Sequence, residues 1–478
     1  MRDRQNELTA LLDKVVDPEQ NITRRFLSNE TGTLCVLYIK QITDLAQLSE
    51  HVIQPLNKQL AAERSLPGSQ DIAYSIIAAA DCRVTGDLAQ LNALVLSGMT
   101  IVLGLDRPDF VVINLKKVEK KPIEDPRLSY TLRGATDCFN ENLDSNLSLV
   151  RYRIKDKNLR VEMHSIGVRT KTQVAVLYIA DIANDNYLNN LRSRLERIHI
   201  EGIVESGQLQ RMLEDRLVVF PQFGIVERSD MACNGLLEGK ILVLVEGSGV
   251  ALISPKNLSE FLTSCDDLYD NVYLGAFMKA LRFLSLLLSF TLTPLYVCMI
   301  SFHTDFLSGE YIITLASTRA NVPFSALFGT ILIETVIETL RESLLRIPKQ
   351  IGSAIGIVGA IVIGQAAIAA GIFSAPLLIL VSLELIASFV PPDYTIVNPL
   401  RVFKFVLLLL SGMLGLVGFT VGVYIILCTL ASHNSLGLPF LSPYAPYNQY
   451  DTLRSFFQTK VISPLRPFFM RTKDNTRK

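Results

Sequence analysis

The sequence predicts an α/β cytoplasmic region made of two related subdomains, followed by an α-helical multi-pass membrane domain. Three observations carry this prediction: an internal repeat in the first 260 residues, long apolar runs after Arg282, and an uneven distribution of charge. Residues 1–280 hold 32 of the 46 basic and 37 of the 46 acidic residues, so the front is mildly acidic and the remainder mildly basic. An acidic front lacks the basic footprint of a nucleic-acid-binding protein.

The repeat begins with the string VLYI, which occurs at 36–39 and again at 176–179. Each copy has the composition of a strand and precedes an amphipathic helical pattern. Later in each copy, two apolar runs separated by a turn predict a β-hairpin. These runs are 98–103 with 110–115, and 239–244 with 250–255.

A further match concerns helix starts. Thr85-Gly86-Asp87-Leu88 corresponds to Ser206-Gly207-Gln208-Leu209, and each opens a helical pattern. We therefore expect one α/β subdomain over residues 1–125 and a second, related one over 126–270.

No catalytic or metal-binding motif is present in this front region. The sequence has no GxxxxGK[ST], GxGxxG or HExxH, and its five histidines do not cluster. The seven cysteines are dispersed without a CxxC, which indicates reduced, structural thiols. The charged N-terminus has no apolar core and predicts no signal peptide. We expect no enzyme activity and no cofactor, and instead a protein-interaction or ligand-sensing region.

The membrane domain is predicted over 271–450, with a basic cytoplasmic tail at 451–478 that carries seven Lys and Arg residues. Lys279 and Arg282 precede the first apolar run, so both ends of the domain are expected on the cytoplasmic side. Because both ends lie on one side, the domain is expected to cross the membrane an even number of times. The predicted spans are about 283–302, 351–371, 375–390 and 405–430.

A charged helix over 325–347 interrupts this pattern. It is expected to be re-entrant or to lie along the outer face, and the alternative is a fifth and sixth crossing built from 311–350. Glu334, Glu338 and Glu342 recur every four residues and share one helix face. Arg341 and Arg346 stand at favourable spacing for ion pairs. Two interpretations stay open: an ion-pair cluster that docks the helix, or a hydrated ion path with an acidic ring formed in an oligomer.

Pro348 disfavours helix at the preceding residue, so the charged helix is expected to end near Arg346, with a hinge at 347–352. Gly352 and Gly356 allow close helix approach, either within one chain or between subunits. The candidate hinge and packing residues are Pro348, Gly352, Gly356, Gly359, Gly364 and Gln365.

Several motifs, in order along nearly the whole chain, resemble the GerA family, the A-type subunit of endospore germinant receptors. They include Phe220-Pro221-Gln222, Glu227-Arg228-x-Asp230, Leu236-Leu237-Glu238-Gly239, Pro294-x-Tyr296, Phe302-His303, Arg319-x-x-Val322-Pro323-Phe324, Glu338-x-x-x-Glu342, Arg346-x-Pro348 and Gly364-Gln365-Ala366-Ala367.

The resemblance implies a nutrient-sensing complex in the inner membrane of the spore, whose activation triggers ion release and germination. It implies a transporter-like B-type partner, a C-type lipoprotein partner, and a homo-oligomeric, ion-conducting role for this chain. The leading hypothesis is therefore a ligand-gated channel, and two other classes of membrane protein are alternatives to it. One is a secondary transporter, which commonly carries repeats in its membrane half. The other is a scaffolding subunit whose helices only hold it in the membrane.

Overall fold

The structure is a computed structural model of the chain. It divides into two compact units. The sheet unit comprises residues 1–215, 223–255 and 463–478, and the helical unit comprises 216–222 and 256–462. The structure describes residues 22–29, 32–62, 66–79, 81–104, 109–115, 137–215, 218–269, 271–344, 346, 364–457 and 465–476.

The first half of the sheet unit contains one five-stranded sheet. Its strands are β1 (Thr23–Ser28), β2 (Thr33–Tyr38), β3 (Cys82–Thr85), β4 (Thr100–Gly104) and β5 (Phe110–Ile113). They pair antiparallel in the order β1-β2-β4-β5-β3. Along β2, Leu34 and Val36 enter one apolar core, and Cys35 and Leu37 enter another on the opposite face. This period of two is that of a strand covered on both faces.

Helical segments cover these two faces. The π-helical segment Leu48–Ile53, helix α1 (Gln54–Ala62) and the short segment Ile72–Ile76 pack on the face of Val36. Helix α2 (Leu88–Leu96) packs on the other face through Leu91 and Val95.

The second half of the sheet unit repeats this arrangement. Its strands are β6 (Leu159–Ile166), β7 (Thr172–Ile179), β8 (Gly224–Val226), β9 (Ile241–Val245) and β10 (Ala251–Ser254), in the antiparallel order β6-β7-β9-β10-β8. Its helices are α3 (Leu143–Arg153), α4 (Asp185–Glu196), α5 (Ser206–Leu213) and α6 (Ser229–Leu237). Both sheets therefore have one topology, and both predicted hairpins, β4–β5 and β9–β10, are present.

The predicted match between the two helix starts is wrong in one respect. Leu88 opens α2, which lies between β3 and β4, whereas Ser206 opens α5, which precedes β8. The counterpart of α2 is α6, between β8 and β9. A helix-start sequence is a local signal, because it satisfies the first amides of any helix, so it does not specify the place of that helix in a repeat.

The C-terminal residues 465–476 belong to the sheet unit. Buried Arg466 donates from Nε to Leu237 O at 2.9 Å, at the C-terminal end of α6. Lys473 Nζ lies 2.7 Å from Asp185 Oδ1. The predicted tail 451–478 is thus divided, since its first residues belong to the helix Gln449–Phe457 of the helical unit. At least two of its basic residues are engaged within the chain.

Seven α-helices of the helical unit have both of their ends within the described residues. They are α7 (Leu258–Phe261), α8 (Val272–Phe302), α9 (Gly309–Arg319), α10 (Ala326–Leu344), α11 (Ala375–Ser388), α12 (Val397–Ser432) and α13 (Gln449–Phe457). Two short strands, β11 (Asn434–Ser435) and β12 (Leu438–Pro439), follow α12. Two helical segments, Val272–Phe302 and Tyr394–Ser432, are long and apolar enough to cross a membrane.

Helix α12 is a hairpin of two antiparallel arms. Gly415 has φ +62° and ψ −137°, far from helical values. A Cβ on Gly418 would lie 1.9 Å from Leu410 O, and one on Gly422 would lie 2.5 Å from Leu407 Cδ1. Along a straight helix, residues 407 and 422 would be about 22 Å apart. Arm 1 therefore runs to residue 414, and arm 2 returns from residue 416.

This hairpin differs from the single span predicted over 405–430. An apolar run without charges carries no signal for a reversal except its glycines, and only Gly adopts the dihedral angles seen at 415 without strain. The His303 Nε2 atom accepts the amide of Leu416 at 3.1 Å, which gives this first amide of arm 2 a partner.

The other predicted spans are placed as follows. Residues 283–302 lie in α8, and residues 375–390 correspond to the 14-residue helix α11. Most of 351–371 lies outside the described residues. Ala326 at the start of α10 packs with Val297, and Glu334 contacts Thr293, so α10 runs antiparallel to α8.

Candidate functional site

The acidic stripe of α10 divides into buried and exposed members. Glu334 is 1% exposed and Glu338 is mostly buried, whereas the Glu342 side chain is 63% exposed. Glu342 pairs with Arg346, whose Nη2 lies 2.7 Å from Glu342 Oε1 and whose side chain is also exposed. The α10 helix ends at Leu344, two residues before Arg346.

Glu334 belongs to a buried cluster formed by four helices. Lys404 Nζ on arm 1 of α12 lies 2.6 Å from Glu334 Oε2 and 3.3 Å from Glu384 Oε1 of α11. Thr293 on α8 donates its hydroxyl to Glu334 Oε1 at 3.2 Å. One ammonium thus lies between two carboxylates that are 1% and 2% exposed.

The backbone of α8 also takes part in this cluster. The amide of Thr293 donates to Glu384 Oε2 at 2.9 Å. The next residue is Pro294, which has no amide and weakens the local helical ladder. Glu384 therefore receives a backbone donor in the middle of a helix, where such donors are normally used within the helix.

Glu338, one turn further along α10, forms a second cluster with two guanidinium groups. Arg401 Nε lies 3.2 Å from Glu338 Oε1, and Arg401 Nη2 contacts Oε2, a two-point pairing. Arg341 Nη1 lies 3.8 Å from Glu338 Oε1, and Arg341 Nη2 donates to Ser388 Oγ at 3.1 Å. The Arg341 guanidinium also lies 5.3 Å from the Phe389 ring centroid.

The two clusters form one charge network because their members are neighbours on the same helices. The spacing is i, i+4 between Glu334 and Glu338, and i, i+3 between Arg401 and Lys404. The charge network comprises three acids and three bases: Glu334, Glu338, Glu384, Arg341, Arg401 and Lys404. Its formal charge is zero. Buried charges are tolerated when paired, and removal of one partner typically costs about 3–5 kcal/mol.

The network lies near the middle of the apolar run of α8. Along a helix, Thr293 stands about 15 Å from Phe283 and about 14 Å from Phe302. Charges among apolar helices need partners, a water path or a function, and here each carboxylate has a basic partner within the chain.

Only some of the candidate hinge and packing residues lie within the described residues. Pro348, Gly352, Gly356 and Gly359 lie outside the described residues. Gln365 is exposed, and a Cβ on Gly364 would make an ordinary contact with Leu378 at 3.5 Å.

Sequence reasoning missed Arg401, Lys404, Glu384 and Thr293 as site residues. Glu384 stands alone in an apolar run, and this was a usable signal. Lys404 directly precedes the predicted span 405–430, and its position in the sequence gives no indication that it faces Glu334. Within the part of the chain that the structure describes, no group of three His, Cys, Asp or Glu residues could hold a metal ion.

The fold and site define a chain with a duplicated antiparallel sheet region and an apolar helical region that holds a neutral charge network. The family model for the Bacillus/Clostridium GerA spore germination protein matches residues 9–467. The chain therefore belongs to the GerA family.

Curated relatives agree with this membership. Spore germination protein B1 of Bacillus subtilis (strain 168) is 33% identical over 410 residues, 86% of this chain and 84% of that protein. Spore germination protein GerQA of Bacillus cereus is 31% identical over 474 residues, 98% of this chain and 93% of that protein. Spore germination protein KA of Bacillus subtilis (strain 168) is 30% identical over 426 residues, 89% of this chain and 78% of that protein.

Among solved structures, the N-terminal domain of the A subunit of the Bacillus megaterium spore germinant receptor GerK3 matches with 25% identity and a TM-score of 0.37. The match covers 52% of this chain and 92% of that one.

Proposed function

We propose that this chain is the A-type subunit of a nutrient germinant receptor and that its helical unit conducts ions when the receptor is activated. It acts in the spore inner membrane as a homo-oligomer with a B-type, transporter-like subunit and a C-type lipoprotein. The sheet unit and the C-terminal residues lie on the cytoplasmic side, and the helical unit crosses the membrane several times.

Exposed apolar surface supports the membrane assignment. In the most apolar 18-residue stretch of each helix, only 50% of the α8 stretch and 33% of the α12 stretch is buried within the chain. The exposed fraction is 63% for Ile386, 69% for Met413 and 66% for Val417. Helices in the core of a soluble domain would be mostly buried, whereas lipid or a neighbouring subunit would cover these side chains.

One observation supports different roles for the glutamates of α10. Glu334 and Glu338 are buried and paired with bases, whereas Glu342 is exposed. The charge network fixes the rotation of α10, and this fixes the direction in which Glu342 points. In an oligomer, one Glu342 from each subunit forms an acidic ring, as in cation channels.

The test is cation release from spores that carry Glu342→Gln in place of the native chain. We expect normal protein levels and a changed rate of release after nutrient addition. The matched control is Glu310→Gln, because Glu310 is another exposed carboxylate of the helical unit and lies on α9. Equal release from the wild type and Glu342→Gln, at equal protein levels, would contradict the acidic ring.

A secondary transporter is the second candidate, and the broken helix at Gly415 favours it. Transporters place discontinuous helices and paired charges near the middle of the bilayer. Discrete current steps in a planar bilayer support the channel, and saturable flux without such steps supports the transporter.

A further inference from the structure

A cavity lies within the helical unit, between α8, α10 and α11, and the proposed function gives it no role. Its volume is about 230 Å³, part of which is open to solvent. The motif Arg319-x-x-Val322-Pro323-Phe324, which follows α9, contributes Arg319, Val322 and Phe324 to its lining. The cavity therefore gives this motif a place in the structure.

The polar side chains that line the cavity are hydrogen-bond donors, and none is acidic. Arg319 carries the full positive charge among them, and it is partly buried. Its guanidinium makes no hydrogen bond or ion pair with any residue that the structure describes. A guanidinium presents parallel N–H donors that match the two oxygens of a carboxylate. The lining is thus suited to an anion.

Two hydroxyl groups supplement the guanidinium. The hydroxyls of Tyr296 on α8 and Ser374, the residue before α11, lie 3.4 Å apart. The Ser374 side chain makes no capping hydrogen bond to α11, although it is only 4% exposed. When one of these hydroxyls donates to the other, the second still has a hydrogen to donate to a ligand.

Gly329 of α10 leaves space in this cavity that an alanine could fill. Glycine is markedly less favourable than alanine inside a helix. A Cβ on Gly329 would meet Phe324 at 3.9 Å and Leu377 at 4.0 Å, which are ordinary contacts, so packing does not require a glycine here. Both neighbours line the cavity, and a methyl group at this position would therefore project into it.

The helices that line the cavity also hold the charge network. Tyr296 lies three residues after Thr293 on α8, and Gly329 lies five residues before Glu334 on α10. These spacings correspond to about 5 and 8 Å along the helices. A ligand in the cavity would thus contact the helices whose relative positions the network fixes, and its binding would stabilise that packing.

We propose that this cavity binds the carboxylate of a small organic acid. Arg319 forms the ion pair, and the hydroxyls of Tyr296 and Ser374 donate hydrogen bonds. The apolar walls formed by Phe324 and Leu377 favour an organic acid over an inorganic anion, because they cover an alkyl group.

The use of this site in nutrient detection rests on the proposed function, whereas binding itself does not. In the proposed topology α8 enters the membrane from the cytoplasmic side, and Tyr296 lies within two turns of the other end of α8. The cavity is then nearer to the outer side, from which nutrients arrive.

The first test is thermal unfolding of the full-length chain, purified in detergent, with sodium propionate. Propionamide is the matched neutral probe, because it has the same shape without the charge, and sodium chloride controls for ionic strength. We expect the Tm to rise with propionate concentration and not with propionamide or chloride. The carboxylate site is overturned if propionate gives no rise, or if either control gives an equal rise.

The second test compares two arginines of the helical unit. Arg319→Gln should weaken propionate binding by about ten- to hundredfold, as expected for the loss of hydrogen bonds to a charged group. Arg346→Gln is the matched control, since Arg346 is exposed, pairs with Glu342 and does not line the cavity. It should keep the wild-type affinity. Equal affinities of Arg319→Gln and the wild type would overturn the proposal.

Gly329→Ala provides the test if Arg319→Gln does not accumulate. The added methyl group displaces no neighbour and favours the helix, so the Tm without propionate should rise. The same methyl group occupies part of the cavity, so the further rise caused by propionate should be smaller than in the wild type. An undiminished rise with propionate would show that the ligand binds elsewhere.

Conductance of the purified wild-type complex in liposomes separates this proposal from the proposed function. If the chain binds propionate but the complex conducts no ions, the proposed function is contradicted and the site stands. If the complex conducts ions but the chain does not bind propionate, only the site is contradicted.

Discussion

The same kind of ion pair occurs in both units of this protein, in different surroundings. In the sheet unit, Arg192 Nε lies 3.0 Å from Glu162 Oε2, and the two side chains are 36% and 26% exposed. In the helical unit, Lys404 and Glu334 are 6% and 1% exposed. Water can replace a lost partner at Glu162 but has no access to Glu334. The consequence of breaking a pair therefore depends on its unit and not on its chemistry.

Lys404→Met should give the largest effect. It leaves Glu334 and Glu384 buried without a base, which costs about 3–5 kcal/mol. We expect little protein in the membrane fraction by immunoblot. Lys404→Met combined with Glu334→Met removes one carboxylate as well and should restore part of the level. Normal accumulation of the single variant would show that the network does not hold the helices.

Gly415→Ala tests the hairpin and should cost about 1–3 kcal/mol, because alanine is strained at these dihedral angles. A Cβ there would also lie about 3 Å from Phe302 and His303 atoms. The measurement is thermal unfolding in detergent. Gly309→Ala is the matched control, since a Cβ at Gly309 meets nothing within 4 Å. Equal stability of the two variants would contradict the turn at Gly415.

Glu162→Gln in the sheet unit should cost about 1 kcal/mol or less at neutral pH. Burial alone would raise the pKa of Glu162, but hydrogen bonds from Arg192 and Tyr178 outweigh it and hold the pKa below 4.5. The pair therefore contributes its full stability above pH 4.5, and the contribution is lost as pH falls through the folded-state pKa.

The measurement for Glu162 is the unfolding of wild type and Glu162→Gln across pH 3–7. The difference in unfolding free energy between them should shrink as the pH falls. A difference that grows towards low pH would contradict the assigned direction.

Glu342→Gln should give the smallest change in stability, within about 0.5 kcal/mol, because both Glu342 and Arg346 are exposed. The change in stability is measured by thermal unfolding of Glu342→Gln and, for comparison, of Glu338→Gln. Glu338→Gln should destabilise clearly, since it leaves Arg401 and Arg341 facing each other without their carboxylate. If both variants lost a similar amount of unfolding free energy, the distinction between the buried Glu338 and the exposed Glu342 would be contradicted.

The sequence predicted the duplicated sheets well because strand alternation and hairpin turns are local patterns that recur in both copies. It also located the charged helix within a few residues, at Ala326–Leu344. The reversal at Gly415 was missed, since 405–430 has the composition of one uninterrupted span.

The partners of the acidic stripe were missed for a different reason. Lys404 lies 70 residues after Glu334, and helical spacing reports only on neighbours along one helix. The predicted partners Arg341 and Arg346 are real contacts of Glu338 and Glu342, because these pairs are local. Long-range pairs required the packing of α10 against α12.

The most direct test of the proposed acidic ring is the ion selectivity of the purified complex in planar bilayers, for wild type and Glu342→Lys. We expect the wild type to conduct cations in preference to anions, and Glu342→Lys at equal incorporation to lose or reverse that preference. An unchanged reversal potential under a salt gradient would contradict the account, because Glu342 would then not face the ion path.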